Sequence, residues 1–172
     1  PLALNSQLYC PFSNAEAWQS RRAYPLVVTQ GDGNLGVKGK NFEMLFSIAG
    51  AGPASLKVNG TEWLWRAPRP AFWRASTDND RGCGFPLRAA AWMAADVFVT
   101  YNGMKVLEAG SDCVKVQFQF GIPTVPGASA ELVYTVEAQG ALRVDAVYHG
   151  VAGAPELPCF GVKFETFGPV TR

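Results

Sequence analysis

The chain holds a single histidine, His149, and four cysteines, Cys10, Cys83, Cys113 and Cys159, none at C-x-x-C spacing. One imidazole and scattered thiols offer a metal ion no ready ligand set. They also give a serine or cysteine nucleophile no visible base. Cysteines spread this way in a chain of 172 residues are expected to stay reduced, with a cytoplasmic location as the default. Charge of one sign is missing too: 15 Lys and Arg face 14 Asp and Glu, a net charge of +1. No field of that size recruits nucleic acid or an acidic membrane, so neither is expected as a partner. No run approaches the ~18 apolar residues of a membrane helix. The opening residues lack the order of a secretory leader. The chain begins at Pro1 and its methionines are Met44, Met93 and Met104. It is therefore expected to be a domain cut from a longer protein.

What is there reads as a folded core: 48% of residues are hydrophobic and 17% charged. Alternation with period two dominates. Val114, Val116, Phe118 and Phe120 alternate with Lys115, Gln117 and Gln119, and Ala130–Val136 and Leu142–Ala146 repeat the pattern. Such runs are half-buried antiparallel strands. Further strands are expected over Leu26–Thr29, Leu35–Lys38, Phe42–Ile48, Ala54–Val58, Thr61–Leu64, Val97–Tyr101, Met104–Ala109 and Phe160–Thr166. Asn59-Gly60 and Asn102-Gly103 suit two-residue hairpins. Gly50–Pro53, Pro123–Gly127 and Gly150–Pro155 break longer connections. One short helix is expected over Leu87–Ala95, with Pro86 in its first turn and Leu87 and Trp92 packed against the sheet. Residues 1–28, with a helical turn over Ser13–Gln19, form a lead-in or the tail of a preceding domain. Residues 29–172 form an all-β domain of roughly ten strands, a sandwich or part of one.

Several short motifs dissolve on inspection. Gly31-Asp-Gly-Asn-Leu-Gly36 matches G-x-G-x-x-G by letter, but a strand follows it rather than a helix, so it is a turn. Asp78-Asn-Asp-Arg-Gly82 has its glycine fifth and Ala89 where an EF-hand needs glutamate. Asn59-Gly-Thr61 is a sequon by letter and a hairpin by pattern. His149 ends a strand and reads as structural or surface. Asp78 and Asp80 stand too close in sequence to flank a sugar ring, and caps of backbone N–H groups suit them better.

Pro70–Gly82 is different. It gathers Phe72, Trp73, Arg74, Asp78, Asn79, Asp80 and Arg81 into one short segment. Arg66, Arg69, Arg74, Arg81 and Arg88 fall in and around it without a lysine, and Trp63 and Trp65 lie nearby. Guanidinium forks favour bidentate carboxylate pairing. Two readings stay open: a sugar platform of aromatics and arginines, or core tryptophans with arginines holding a loop to a neighbouring domain. The residue chemistry favours the second.

Phe72-Trp-Arg-Ala-Ser-Thr-Asp-Asn-Asp-Arg-Gly82 resembles the WRAPTDND-G signature of the large β-galactosidases of glycoside hydrolase family 2, in their C-terminal "small chain" domain. Ser76 stands where the pattern has proline. The flanks are similar too: Phe42–Phe46, Ser55-Leu56, Asn59-Gly60, Glu62, Pro68, Pro70, Ala91-Trp92, and Glu156–Phe164 against a pattern LPRxGxxF. Cys159 replaces the arginine there. The resemblance covers roughly residues 30–170. The family's later YGxGPxExYxDR stretch would fall beyond Arg172.

The resemblance implies a truncated β-supersandwich like the galactose mutarotase superfamily. It implies an accessory piece of a retaining β-galactosidase whose catalytic glutamates sit in a barrel domain of the same chain. Terminal β-D-galactosides would be the parent's substrate. The site residues implied are Trp73, Arg74, Asp78, Asn79, Asp80, Gly82, Cys83, Gly84 and Phe85. The first five would anchor a mobile loop, Gly82–Pro86, that borders the active site, and Gly82 and Gly84 would make its hinge cheap. No catalytic residue, metal or cofactor is expected in this piece, with Mg2+ and Na+ candidates for the parent. Self-association through uncovered strand edges is expected of a half domain. The competing expectations are an autonomous carbohydrate-binding module and, weakly, a mutarotase-like epimerase using His149.

Overall fold

The computed structural model describes residues 24–167. Residues 1–23, with Cys10 and the Ser13–Gln19 turn expected there, lie outside the described residues, as do 168–172. Β-strands dominate, in three antiparallel sheets. The first is a meander of β1 (Val27–Gln30), β2 (Asn34–Lys38), β3 (Phe42–Ser47), β4 (Gly52–Val58) and β5 (Thr61–Glu62). The second is β7 (Thr100–Ala109), β8 (Cys113–Gly121), β9 (Ser129–Glu137) and β10 (Leu142–His149), in the order β10-β9-β8-β7. The third pairs β6 (Leu64–Ala71) with β11 (Gly161–Thr166).

The alternation read from the sequence makes the sandwich. Leu35, Val37, Phe42, Met44 and Phe46 of the first sheet share one buried core with Val114, Val116, Phe118, Phe120, Leu132 and Tyr134 of the second. Phe46 closes the gap between layers, its ring 6.1 Å from Phe118 and 5.7 Å from Tyr134. On the opposite face Gln117 donates to Glu131 at 2.6 Å. A one-residue slip would exchange these two faces, so burial fixes the register. Two turns form as expected. Gly31 N–H bonds the Asn34 carbonyl at 2.9 Å, closing the β1–β2 hairpin. Asn59 and Gly60 both take positive φ, 50° and 80°, between β4 and β5.

Three expectations about strands and turns need correction. Asn102-Gly103 is no hairpin: it lies inside β7, where the register against β8 shifts between Tyr101 and Gly103, and Gly103 has φ 152°. The pair serves a bulge instead. The strand expected at Val97 starts at Thr100, because Val97 and Phe98 belong to a helix. The strand ending at Leu64 instead gives way to β6, which the prolines at 68 and 70 concealed. Among the described residues, β6 pairs only with β11, and an edge strand tolerates proline.

The one short helix becomes three: α1 (Asp78–Gly82), α2 (Phe85–Arg88) and α3 (Ala90–Phe98). Pro86 does sit in the first turn of α2. Trp92 is buried as expected, but Leu87 is exposed. The inward stripe is Phe85, Ala89 and Trp92, at i, i+4 and i+7, and this puts Leu87 on the other side.

Candidate functional site

The signature segment leaves β6 and runs into this helical excursion, which is held at three depths. Deepest is Phe72, fully buried, its ring 5.7 Å from Trp92 and 5.8 Å from Phe160. Its backbone N–H donates to Asp96 Oδ1 at 2.6 Å, so α3 is tied to the end of β6 by a charge-assisted bond. Trp92 adds a second tie: its Nε1–H donates to the Pro155 carbonyl at 3.0 Å. Trp73 is half-buried and packs on the same core.

Above this lies a polar lock. Thr77 caps α1: the Asp80 N–H donates to Thr77 Oγ1 at 3.2 Å, and the Thr77 N–H donates back to Asp80 Oδ2 at 2.8 Å. This reciprocal pair satisfies two donors that a helix start leaves open. The same carboxylate takes a fork from Arg74, Nη1 to Oδ2 at 2.6 Å and Nη2 to Oδ1 at 3.2 Å. The Arg74 guanidinium, then the Thr77 backbone and hydroxyl, hold the Asp80 carboxyl well below the usual carboxylate range. Arg74 also donates from Nε to the Pro158 carbonyl at 3.3 Å, and so reaches across to the segment before β11.

The outermost layer is less bound. Asp78 is exposed and pairs with Arg81 at 2.6 Å, and Asn79 is exposed, with its carbonyl accepting the Cys83 N–H at 3.0 Å. Cys83 carries a free, exposed thiol, and its carbonyl accepts from Arg88. Gly84 takes φ 68°, a left-handed turn between α1 and α2. Gly82 has no such φ; it closes α1, and a Cβ there would meet open space. Phe85 is buried, so it anchors the segment instead of lying at its tip.

The other candidates are not brought here. Arg66 pairs with Glu165 at 3.7 Å, and exposed Trp65 meets Phe167 edge-on at 4.9 Å, both on the β6–β11 sheet. His149 lies 3.5 Å from Glu131 at the far end of β10 and is half exposed. Two open clefts, of about 410 and 360 Å3, are lined by other segments, around Phe42 with Gln139 and across β1–β4. Among the described residues no three His, Cys, Asp or Glu gather where they could hold a metal, and no helix is long and apolar enough to cross a membrane.

Thr77, Asp96 and Pro158 are not among the residues expected at the site from sequence. Thr77-x-x-Asp80 was a legible capping box ahead of a helix. Asp96 and the Pro158 carbonyl had no local signal, since each partner is distant in sequence. Chemically, the arrangement holds and positions. Its best carboxylate is already committed to a guanidinium and a helix cap.

Comparison with known proteins shows the family. Residues 38–171 match the family described as β-galactosidase small chain. The chain is 41% identical to the β-galactosidase small subunit of Latilactobacillus sakei, over 86% of this chain and 52% of that protein. It is 37% identical to β-galactosidases of Clostridium acetobutylicum and Streptococcus thermophilus, over 80% and 81% of this chain but 15% and 14% of theirs. The chain thus spans about half the length of the first relative and a small part of the other two. The signature segment and strands β3 to β11 fall within the matched residues, while β1 and nearly all of β2 precede them, and the chain belongs to the β-galactosidase small chain family.

Proposed function

We propose that this chain is an accessory part of a β-galactosidase that cleaves terminal β-D-galactosides. Its Trp73–Pro86 segment borders the sugar site without supplying the catalytic carboxylates. The observation that carries this reading is the commitment of Asp80: an acid held by Arg74 and Thr77 is a mount, not a proton donor. The two carboxylates of a retaining hydrolysis would come from the barrel of a larger catalytic polypeptide, in the same chain or a separate subunit. This piece would orient the sugar and exclude water, with Gly84 as the pivot of a segment that closes over it. No Mg2+ or Na+ site is proposed in this chain, and any metal of the parent is read as belonging to the remainder of the enzyme. The free thiols of Cys83, Cys113 and Cys159 suit a reducing, cytoplasmic setting.

The test is hydrolysis of a nitrophenyl β-galactoside by the chain alone and by the assembled enzyme. The expected outcome is no turnover alone and turnover in the assembly. The loss should be marked when Arg74→Ala is built into the assembly. Turnover by the chain alone would overturn the reading. A galactose and lactose titration followed by amide NMR guards the other side: saturable shifts over Trp73–Pro86 would make the chain an autonomous carbohydrate-binding module.

A further inference from the structure

The helix α3, Ala-Ala-Trp-Met-Ala-Ala-Asp-Val-Phe, has one charged residue, and that residue points inward. Asp96 accepts the Phe72 N–H at 2.6 Å, and Trp92 and Ala95 are fully buried. The outward positions are therefore apolar as well. Met93 is 56% exposed, Val97 72% and Phe98 61%. Leu87, on the preceding turn, is 84% exposed and extends the patch. A surface helix ordinarily carries a charged or polar stripe opposite its buried one; a helix apolar all round is one that is covered.

We propose that this outward face, Leu87, Met93, Val97 and Phe98, docks on the catalytic polypeptide of the β-galactosidase. The inference rests on the accessory-part reading above and adds the surface through which that part is held. Two observations choose the occupant. In the Clostridium and Streptococcus relatives the matching region is 15% and 14% of the protein, so it is joined to a polypeptide several times its size. The patch also follows Gly82–Pro86 directly, through Phe85 and Ala89 buried beneath it. An approach that seats Gly82–Pro86 against a sugar site on that polypeptide covers α2 and α3 at the same time. The exposed Trp63, Trp65 and Phe167 form a separate patch at the β5–β6 junction and just past the end of β11, and are not part of this surface.

The test places a photo-crosslinking amino acid at Val97, and separately at Cys83, in the complete enzyme in its host cell. Cross-linked peptides are then identified by mass spectrometry. The expected result is that both positions join peptides of the catalytic polypeptide. Joining at 83 but not at 97 would overturn the proposed surface and leave the accessory reading standing. Joining at neither would overturn both. Joining at 97 to a second copy of this chain would replace the proposal with a homodimer face. A Met93→Glu, Val97→Glu double variant, altered only at exposed positions, is expected to weaken retention of the domain about tenfold or more at unchanged circular dichroism. Unchanged retention would count against the surface.

Discussion

Gly82 and Gly84 stand two positions apart and make opposite demands on a side chain. At Gly84, φ is 68°, a region that costs an L-residue about 1–2 kcal/mol. Gly82 ends a helix facing open space. Gly84→Ala is therefore expected to destabilise by about 1–2 kcal/mol in urea denaturation. Gly82→Ala should be neutral or stabilise by up to about 1 kcal/mol. Equal effects would remove the case for Gly84 as the pivot. Asp80 makes the second prediction at this scale. A carboxyl whose folded pKa lies below its unfolded value stabilises the fold above the unfolded value, and loses that contribution as pH falls through the folded one. The Arg74 fork puts Asp80 in this class. The Thr77–Cys83 amides should thus keep their exchange protection through mildly acid pH, and lose it only under strongly acid conditions. Asp80→Asn should remove that pH dependence and leave the same amides less protected at neutral pH.

Among the elements, α3 carries the excursion through one residue. Trp92 contacts Phe72 and Tyr148 with ring centroids 5.7 Å away in each case, and donates to Pro155. Trp92→Ala should cost about 3–5 kcal/mol of stability, measured by thermal or urea unfolding. Trp92→Phe should cost less, since it keeps most of the packing and loses the bond to Pro155. This division also explains what was legible beforehand. Elements built on period-two alternation, such as β3, β8 and β9, were visible because burial writes its pattern into adjacent residues. β6 was hidden because Pro68 and Pro70 are breakers everywhere except on such an edge strand. In sequence the excursion reads as a turn and one helix, since Gly84 and Ala89 interrupt a stripe that is continuous only in space. At the site, the Thr77–Asp80 cap was readable and the Arg74–Asp80 fork was inferable from composition. The ties to Pro155, Pro158 and Asp96 join distant segments and leave no local trace.

For the whole molecule, the two-stranded sheet is the least finished part. Among the described residues β11 bonds only to β6, and Trp63, Trp65 and Phe167 are exposed beside it. An unpaired strand edge next to apolar surface is a template for another chain. The isolated chain is expected to associate with rising concentration in sedimentation velocity, and Trp65→Lys is expected to reduce that association. A monomer across the range would show that the edge is tolerated.

The ties that hold the excursion also set a timetable. Phe72 waits for Asp96, 24 positions later; Trp92 waits for Pro155, 63 later; Arg74 waits for Pro158, 84 later. At a synthesis rate of roughly 5–20 residues per second, Trp92 leaves the ribosome about 3–13 s before its carbonyl partner follows it out. Through that interval a helix with apolar side chains on both its inward and outward faces has neither its floor nor its eventual cover. Exposed apolar surface of this kind makes a nascent chain prone to aggregate, and α3 is where this one carries it.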